Sequence, residues 1–412
     1  MPDGGQPQVR ETAEAVARQS YGKLVAFLAS RIRDVAEAED ALSDAFAAAL
    51  SDWPRTGIPA RPEAWLLTVA RRKMLDGVRR RRTAEDAGDH LRLLDELSAT
   101  DEAVVPDDRL GLMFACAHPA IEPGIRAPLI LQTILGFDAA AIASAFLVSP
   151  ATMGQRLVRA KTKIKQAGIP FRLPEQTDLA ERLDAVLAAI YAAFSEGWSD
   201  PEGTETRRRN LAEDGIWLGR LAVSLLPDEP EALGLLSLML HAEARRGARR
   251  DGNGEYVPLA EQDPARWNKA LTDAAETLLF RAGAMKRVGR YQLEAAIQSA
   301  HVARRLTGRT DWVAIEQLYG ALAAITGSPV VAINRAIAIA EARGPSAGLA
   351  ALDILADDKR LSDYQPYWAA RAGLLARAHE NEAAGHAYDR AIGLESDPAV
   401  RRFLQKRRGE IV

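Results

Sequence analysis

The sequence predicts an all-α protein: two small helical domains followed by a long body of stacked helices. Three observations predict it. Apolar residues recur at helical spacing along nearly the whole chain, and no stretch alternates with period two long enough to define a strand. Proline and glycine interrupt the helical runs where turns are needed. Charge falls in blocks that the overall net charge of −3 conceals: +3 over residues 1–83, −8 over 84–108, +6 over 109–173 and −4 over the rest. Two basic blocks therefore flank an acidic connector, the electrostatic pattern of a polyanion binder.

Composition bounds the rest. A chain of 412 residues has material for two to four domains. With 48% apolar and 26% charged residues it is not a disordered chain. The single cysteine, Cys116, excludes a disulfide scaffold and a cysteine-based zinc site, and suits a reducing cytoplasm. The start, MPDGGQPQVRETAEAV, has no apolar export segment, and no membrane span is expected.

Element by element, Tyr21, Leu24, Val25, Leu28 and Ile32 share one face of a first helix. Val35, Ala38, Leu42, Ala45, Phe46 and Ala49 form the apolar stripe of a second, with Glu37, Asp40 and Asp44 on the opposite, exposed face. The segment DWPRTGIPARP over 52–62 is expected to break that helix. A third helix from about Glu63 to Arg82 turns Leu67, Ala70, Met74 and Val78 inward. It carries Arg71, Arg72, Lys73, Arg79, Arg80, Arg81 and Arg82 within twelve residues. A helix C-terminus favours two or three bases through its dipole. Seven like charges repel unless a polyanion neutralises them, with release of condensed counterions.

The second basic block reads as a helix-turn-helix. PGIRAPLILQTIL over 123–135 is an apolar supporting helix, residues 138–146 form a short helix after Gly136, and LVS makes the turn. Ser149 can cap the next helix and Pro150 can occupy its first position. In that helix Leu157, Val158 and Ile164 are expected to face the core, while Thr152, Gln155, Arg156, Arg159 and Lys163 face away. Such a face offers donors to base edges and phosphates with almost no acid, as a major-groove reader does.

Taken in order, the acid-faced AEDALSDAFAAAL, the proline-broken loop, AWLLTVARRKMLDGVRRRR, the acidic connector and the terminal helix-turn-helix resemble the extracytoplasmic-function sigma factors of bacterial RNA polymerase. The resemblance implies a region 2 domain over 10–83, an acidic linker over 84–106 and a region 4 domain over 107–172. It implies that Asp40, Asp44 and Phe46 contact core RNA polymerase. It implies that Trp53, Arg71, Arg72, Lys73, Asp76, Arg79 and Arg80 bind the −10 promoter element, where an unstacked base is captured; Trp65 is a second aromatic candidate there, read in preference as a core residue. The run QRLVRAK matches the family's −35-reading helix, which implies Thr152, Gln155, Arg156, Arg159, Lys161 and Lys163 as contacts there. Two departures, Leu147 where the turn usually has Gly and Gly154 where Lys is common, leave the promoter sequence open.

The chain continues over 173–412 through a further series of amphipathic helices. EAAGHAYDRAIGL and SPVVAINRAIAIAEARGP resemble tetratricopeptide helices, so an α-solenoid is expected. With YQLEAAIQSAH and DWVAIEQLYGAL, they resemble the sigma subfamily that carries a tetratricopeptide-like extension. That resemblance implies control of sigma activity by the extension and association with a small YCII-related protein. His241, His301, His379 and His386 are scattered, no HExxH or phosphate loop occurs, and DGNGEY lacks the carboxylates of a calcium loop, so no enzyme, metal or cofactor is expected. Tyr291, Gln292, Trp312, Tyr319 and Asn334 are read as core or capping residues that could instead line a groove.

The expectation is a cytoplasmic sigma factor that binds core RNA polymerase and promoter DNA. The competing reading is a ligand-responsive helix-turn-helix regulator with a helical repeat sensor.

Overall fold

A computed structural model describes residues 5–80, 106–146, 148–198 and 206–411. The acidic linker up to residue 105 lies outside the described residues. Among those described the fold is all-α, with one isolated bridge between Arg250 and Tyr256. They divide into two units. One runs to Gly197 and takes in Asn210–Gly215; the other is made of the remainder from Trp198 onward.

The first unit is built round α1 (Gly5–Ile32). Its segment Leu24–Ala29 is apolar at every position and buried on every side, and a helix that is apolar all round belongs in a core. α1 ends at Arg33, in a left-handed conformation with φ 56°. Asp34 then caps α2 (Val35–Thr56), accepting the Glu37 N–H at 3.2 Å. The 52–62 segment breaks the helix as expected: α2 runs through Pro54 and stops at Gly57, whose φ of 83° requires glycine. A proline in the last turn forfeits one backbone hydrogen bond, and the Gly57 N–H still reaches the Trp53 carbonyl at 3.0 Å. α3 (Pro62–Arg80) follows and packs on both.

α4 (Arg109–Cys116) has no counterpart in the sequence reading. Leu110 through Cys116 are all buried, so it has no polar face to give a helical period. α5 (Pro123–Leu135) ends at Gly136 in the left-handed region, and α6 (Ala139–Ala145) and α7 (Pro150–Gln166) follow. Ser149 caps α7, accepting the Thr152 N–H at 3.1 Å. The buried side of α7 is Met153, Leu157, Ala160 and Ile164. Val158, expected in the core, is 62% exposed, because it lies about 100° round the helix from Leu157. α8 (Gln176–Trp198) was read as the first helix of the extension. Up to Gly197 it belongs to the first unit, where Arg182 donates to the Phe114 carbonyl at 3.0 Å.

In the second unit, the chain leaves α9 (Thr206–Leu225) for α10 (Pro230–Ala244), which is buried almost all round. Then come α11 (Lys269–Ala284), α12 (Arg290–Val302), the one-turn α13 (Arg304–Thr307), α14 (Trp312–Thr326), α15 (Pro329–Arg343), α16 (Pro345–Asp353), α17 (Gln365–Arg377), α18 (Asn381–Leu394) and α19 (Pro398–Gly409). From α14 to α19 each helix packs chiefly on its neighbours in sequence. Leu293 and Ile297 of α12 join Ile315 and Leu322 of α14 in one cluster, and Leu352, Tyr367, Leu374 and Tyr388 form another.

Candidate functional site

α2 presents two different acidic flanks. On the outer flank Asp40 and Asp44 are exposed, and Phe46 is half-buried. Asp44 pairs with Lys73 of α3 at 3.7 Å, a surface pair worth little by itself. Asp34, Glu37, Asp40, Asp44, Lys73 and Met74 border an open pocket of about 320 Å³.

The inner flank is different. Glu39 is buried on the same side as Val35, Ala38 and Leu42. It pairs with Lys161 of α7, and one turn along Lys165 donates to Asp34 at 2.6 Å. Burial pushes the Glu39 carboxyl up, with the Lys161 ammonium opposing it. The second Glu39 oxygen, Oε1, has no hydrogen-bond partner among the described residues. Lys161, which the resemblance implies as a −35 contact, is thus engaged with α2. It is one turn removed from Leu157 on the side that meets α2. Glu39 and Asp34 were missed as its partners; the signal was an acid sitting inside an apolar stripe.

Trp53 was expected as an aromatic for an unstacked base, and here the structure corrects the reading. It is 1% exposed and edge-on to Trp65, with ring centroids 5.5 Å apart. Because α2 continues through Pro54, Trp53 stays in line with Ala45 and Ala49 and faces the core. Trp65 is half-buried.

On α3, Arg72 and Lys73 are exposed. Arg71 is half-buried, its guanidinium 5.2 Å from the Phe27 ring centroid, and Arg31 lies over the same ring at 3.4 Å. The side chains of Asp76, Arg79 and Arg80 lie outside those described. On α7, Thr152, Gln155, Arg159 and Lys163 are exposed. Arg156 is half-buried and paired with Glu122 at 3.0 Å. Cys116 is buried 3.5 Å from the Thr133 hydroxyl, and burial pushes its thiol up to about 12, so it is no nucleophile at neutral pH.

In the second unit Tyr291 and Gln292 are buried at the start of α12. Their backbone N–H groups donate to the Glu231 carboxylate at 2.9 and 3.1 Å, which makes this pair a helix terminus rather than a groove. Trp312 packs edge-on against His301 at 5.4 Å, and Tyr319 and Asn334 are half-buried. Among the described residues no cluster of three or more His, Cys, Asp or Glu could hold a metal ion. Nor is any helix long and apolar enough to cross a membrane.

Comparison with known proteins bears on this geometry. Residues 16–84 match Sigma-70 region 2, which lays that module over α1–α3. Residues 182–283 match a family of unknown function (DUF6596). The chain is 39% identical over 394 residues to an uncharacterized protein of Rhizobium meliloti (strain 1021), covering 94% of this chain and 92% of that one. It belongs to the same family as that Rhizobium protein, with a Sigma-70 region 2 at its N-terminal end. No solved structure matches it.

Proposed function

We propose that this chain is an alternative sigma factor that binds core RNA polymerase, recognises a promoter at two elements, and is controlled by its own C-terminal helices. The observation that carries the reading is the Sigma-70 region 2 match lying on α1–α3. There the acids Asp40 and Asp44 are exposed for a protein partner, and Arg72 and Lys73 for phosphates. A region 2 implies core polymerase and promoter DNA as partners.

In this reading Asp40, Asp44 and Phe46 meet polymerase, and the exposed bases of α3 meet the −10 strand. The α6–α7 pair acts as a region 4 helix-turn-helix. Thr152, Gln155, Arg159 and Lys163 reach the −35 groove, since they are the exposed polar residues of α7. Lys161 drops out of that set while it pairs with Glu39. The second unit is a tetratricopeptide-like solenoid, supported by the neighbour-on-neighbour packing from α14 to α19.

The test is core-polymerase binding and promoter-dependent transcription by the full chain and by the double variant Asp40→Lys/Asp44→Lys. Reversal of both charges is expected to weaken polymerase binding at least about tenfold, or about 1.4 kcal/mol, while binding to duplex DNA persists. Unchanged polymerase binding, or none by the parent protein, would favour the competing reading of a ligand-responsive DNA-binding regulator.

A further inference from the structure

The last helices of the second unit leave open a pocket that their own packing does not fill. It has a volume of about 780 Å³ and lies where α15, α17, α18 and α19 meet the connection between α10 and α11. Packed interiors seldom leave voids larger than a water molecule, whereas small-molecule sites occupy about 300–1,000 Å³. One wall is α17, where Ala369, Ala370, Gly373 and Ala376 line the pocket. Their spacing sets them along one face of the helix. The three alanines also pack on the core beneath. The wall is therefore apolar, and no side chain on it is long enough to close the space.

Other walls are held in place by pairing. Tyr256 and Pro258 of the connection and Phe403 of α19 line the pocket, and Tyr256 stands edge-on to Phe403 with ring centroids 5.5 Å apart. Three ion pairs fasten the connection to α19 and its capping residue: Arg250 to Asp397 at 2.9 Å, Arg402 to Glu255 at 2.9 Å, and Arg407 to Glu261. The two aromatic rings are thus fixed at the pocket, where they can meet another ring.

Tyr388 of α18 gives the pocket a polar point. The residue is 6% exposed and lines the pocket, and its hydroxyl lies 4.0 Å from the position that a Cβ on Gly373 would take. That hydroxyl makes no hydrogen bond to any described residue. It can donate or accept one. The charged groups round the pocket are paired with acids and bases of the protein itself: Arg377 with Glu341, and Arg407 with Glu261 and, at 3.4 Å, with Glu410. An entering molecule is therefore offered no uncommitted charge there. An extended peptide would bring an amide donor and a carbonyl acceptor with each residue, and Ala369, Ala370, Gly373 and Ala376 have no polar side-chain atom to meet them. We infer that this pocket binds an uncharged small molecule, a largely apolar ring body laid on the α17 wall with one hydrogen-bonding group on the Tyr388 hydroxyl. The inference rests on the second unit alone and holds whatever the first unit binds.

The experiment is fluorescence titration of the full chain with phenylnaphthylamine, an uncharged aromatic amine with one N–H, and with anilinonaphthalene sulfonate, the same ring system carrying an anion. The neutral probe is expected to saturate at one site per chain and to bind at least about tenfold more tightly than the sulfonate, whose charge would be taken out of water unpaired. Gly373→Leu is expected to weaken the neutral probe at least about tenfold. A Cβ has room there, and the rest of the leucine fills the space before the Tyr388 hydroxyl. Tyr388→Phe is expected to weaken it about 3- to 10-fold, the loss of one hydrogen bond. Thermal melting shows which variants fold. Should Gly373→Leu fail to fold, Ala370→Leu takes its place with the same expected loss. No binding of the neutral probe by the parent protein overturns the site. So does tighter binding of the sulfonate, or equal binding of the neutral probe by the parent and the folded filling variant.

Discussion

Glu39 and Lys161 show how much one buried pair can decide. Each side chain is nearly enclosed, and their attraction offsets the loss of two hydration shells only while both are present. Glu39→Ala leaves a buried ammonium without its acid and is expected to destabilise the first unit by about 3–5 kcal/mol. The double variant Glu39→Leu/Lys161→Met removes both desolvation costs and is expected to be at least as stable as the parent. Denaturant melts of the three variants check this, and a double variant as unstable as Glu39→Ala would contradict it. His241 and His301 supply a second residue-scale prediction. Burial first, then Arg245, pulls them down to about 3 and about 4. Glu276 lies 3.5 Å from the His241 ring yet does not restore its charge. The unfolded chain takes up protons below about pH 6.5 that the folded rings refuse, so stability of the second unit is lost as pH falls from there toward 4. His301→Gln is expected to shallow that loss, measured as melting temperature against pH. The histidine effect is not visible in sequence, because Arg245 comes near His301 only through the fold.

At the scale of elements, proline, glycine and apolar spacing made many helices legible, including α15 and α18. They failed where a helix lacks two distinct faces. α4 is buried all round and gave no period. The candidate site shows the same division. The exposed acids of α2 and the exposed polar face of α7 could be read from spacing. The roles of Trp53, Val158 and Lys161 depended on what packs against them. Two glycines show what packing adds. A Cβ at Gly22 of α1 would overlap the Ile134 backbone of α5, whereas one at Gly154 of α7 would meet nothing within 4 Å. Gly22→Ala is therefore expected to cost about 1–3 kcal/mol as α1 and α5 are forced apart. Gly154→Ala is expected to stabilise α7 by about 0.5–1 kcal/mol. Thermal melts distinguish the two, and a gain at Gly22 or a loss at Gly154 would contradict the packing described.

For the whole molecule, the all-α class and the change from sigma-like helices to a long helical body were legible in composition and pattern. The position of the division was not. Sequence resemblance put it near Arg172, but the first unit keeps α8, with Leu183, Val186, Leu187 and Ile190 buried. A chain ending after Arg172 is expected to lose stability in its first unit, because that apolar surface is no longer covered. A chain ending after Gly215 is expected to keep the first unit's melting transition. If both melt alike, α8 contributes nothing to that unit. If they differ as expected, only the chain ending after Gly215 is a fair test of control by the second unit, and transcription unchanged in it would remove that role.

The inner flank of α2 has a consequence for genetics. An allele that damages Glu39 would be repaired from within the same gene, by a second change at Lys161 that removes the stranded charge, and not by alleles of any other subunit. Under the proposed function, alleles at Asp40 or Asp44, which face outward, would show the reverse pattern of suppression. Two neighbouring positions on one helix would thus fall into separate suppressor classes.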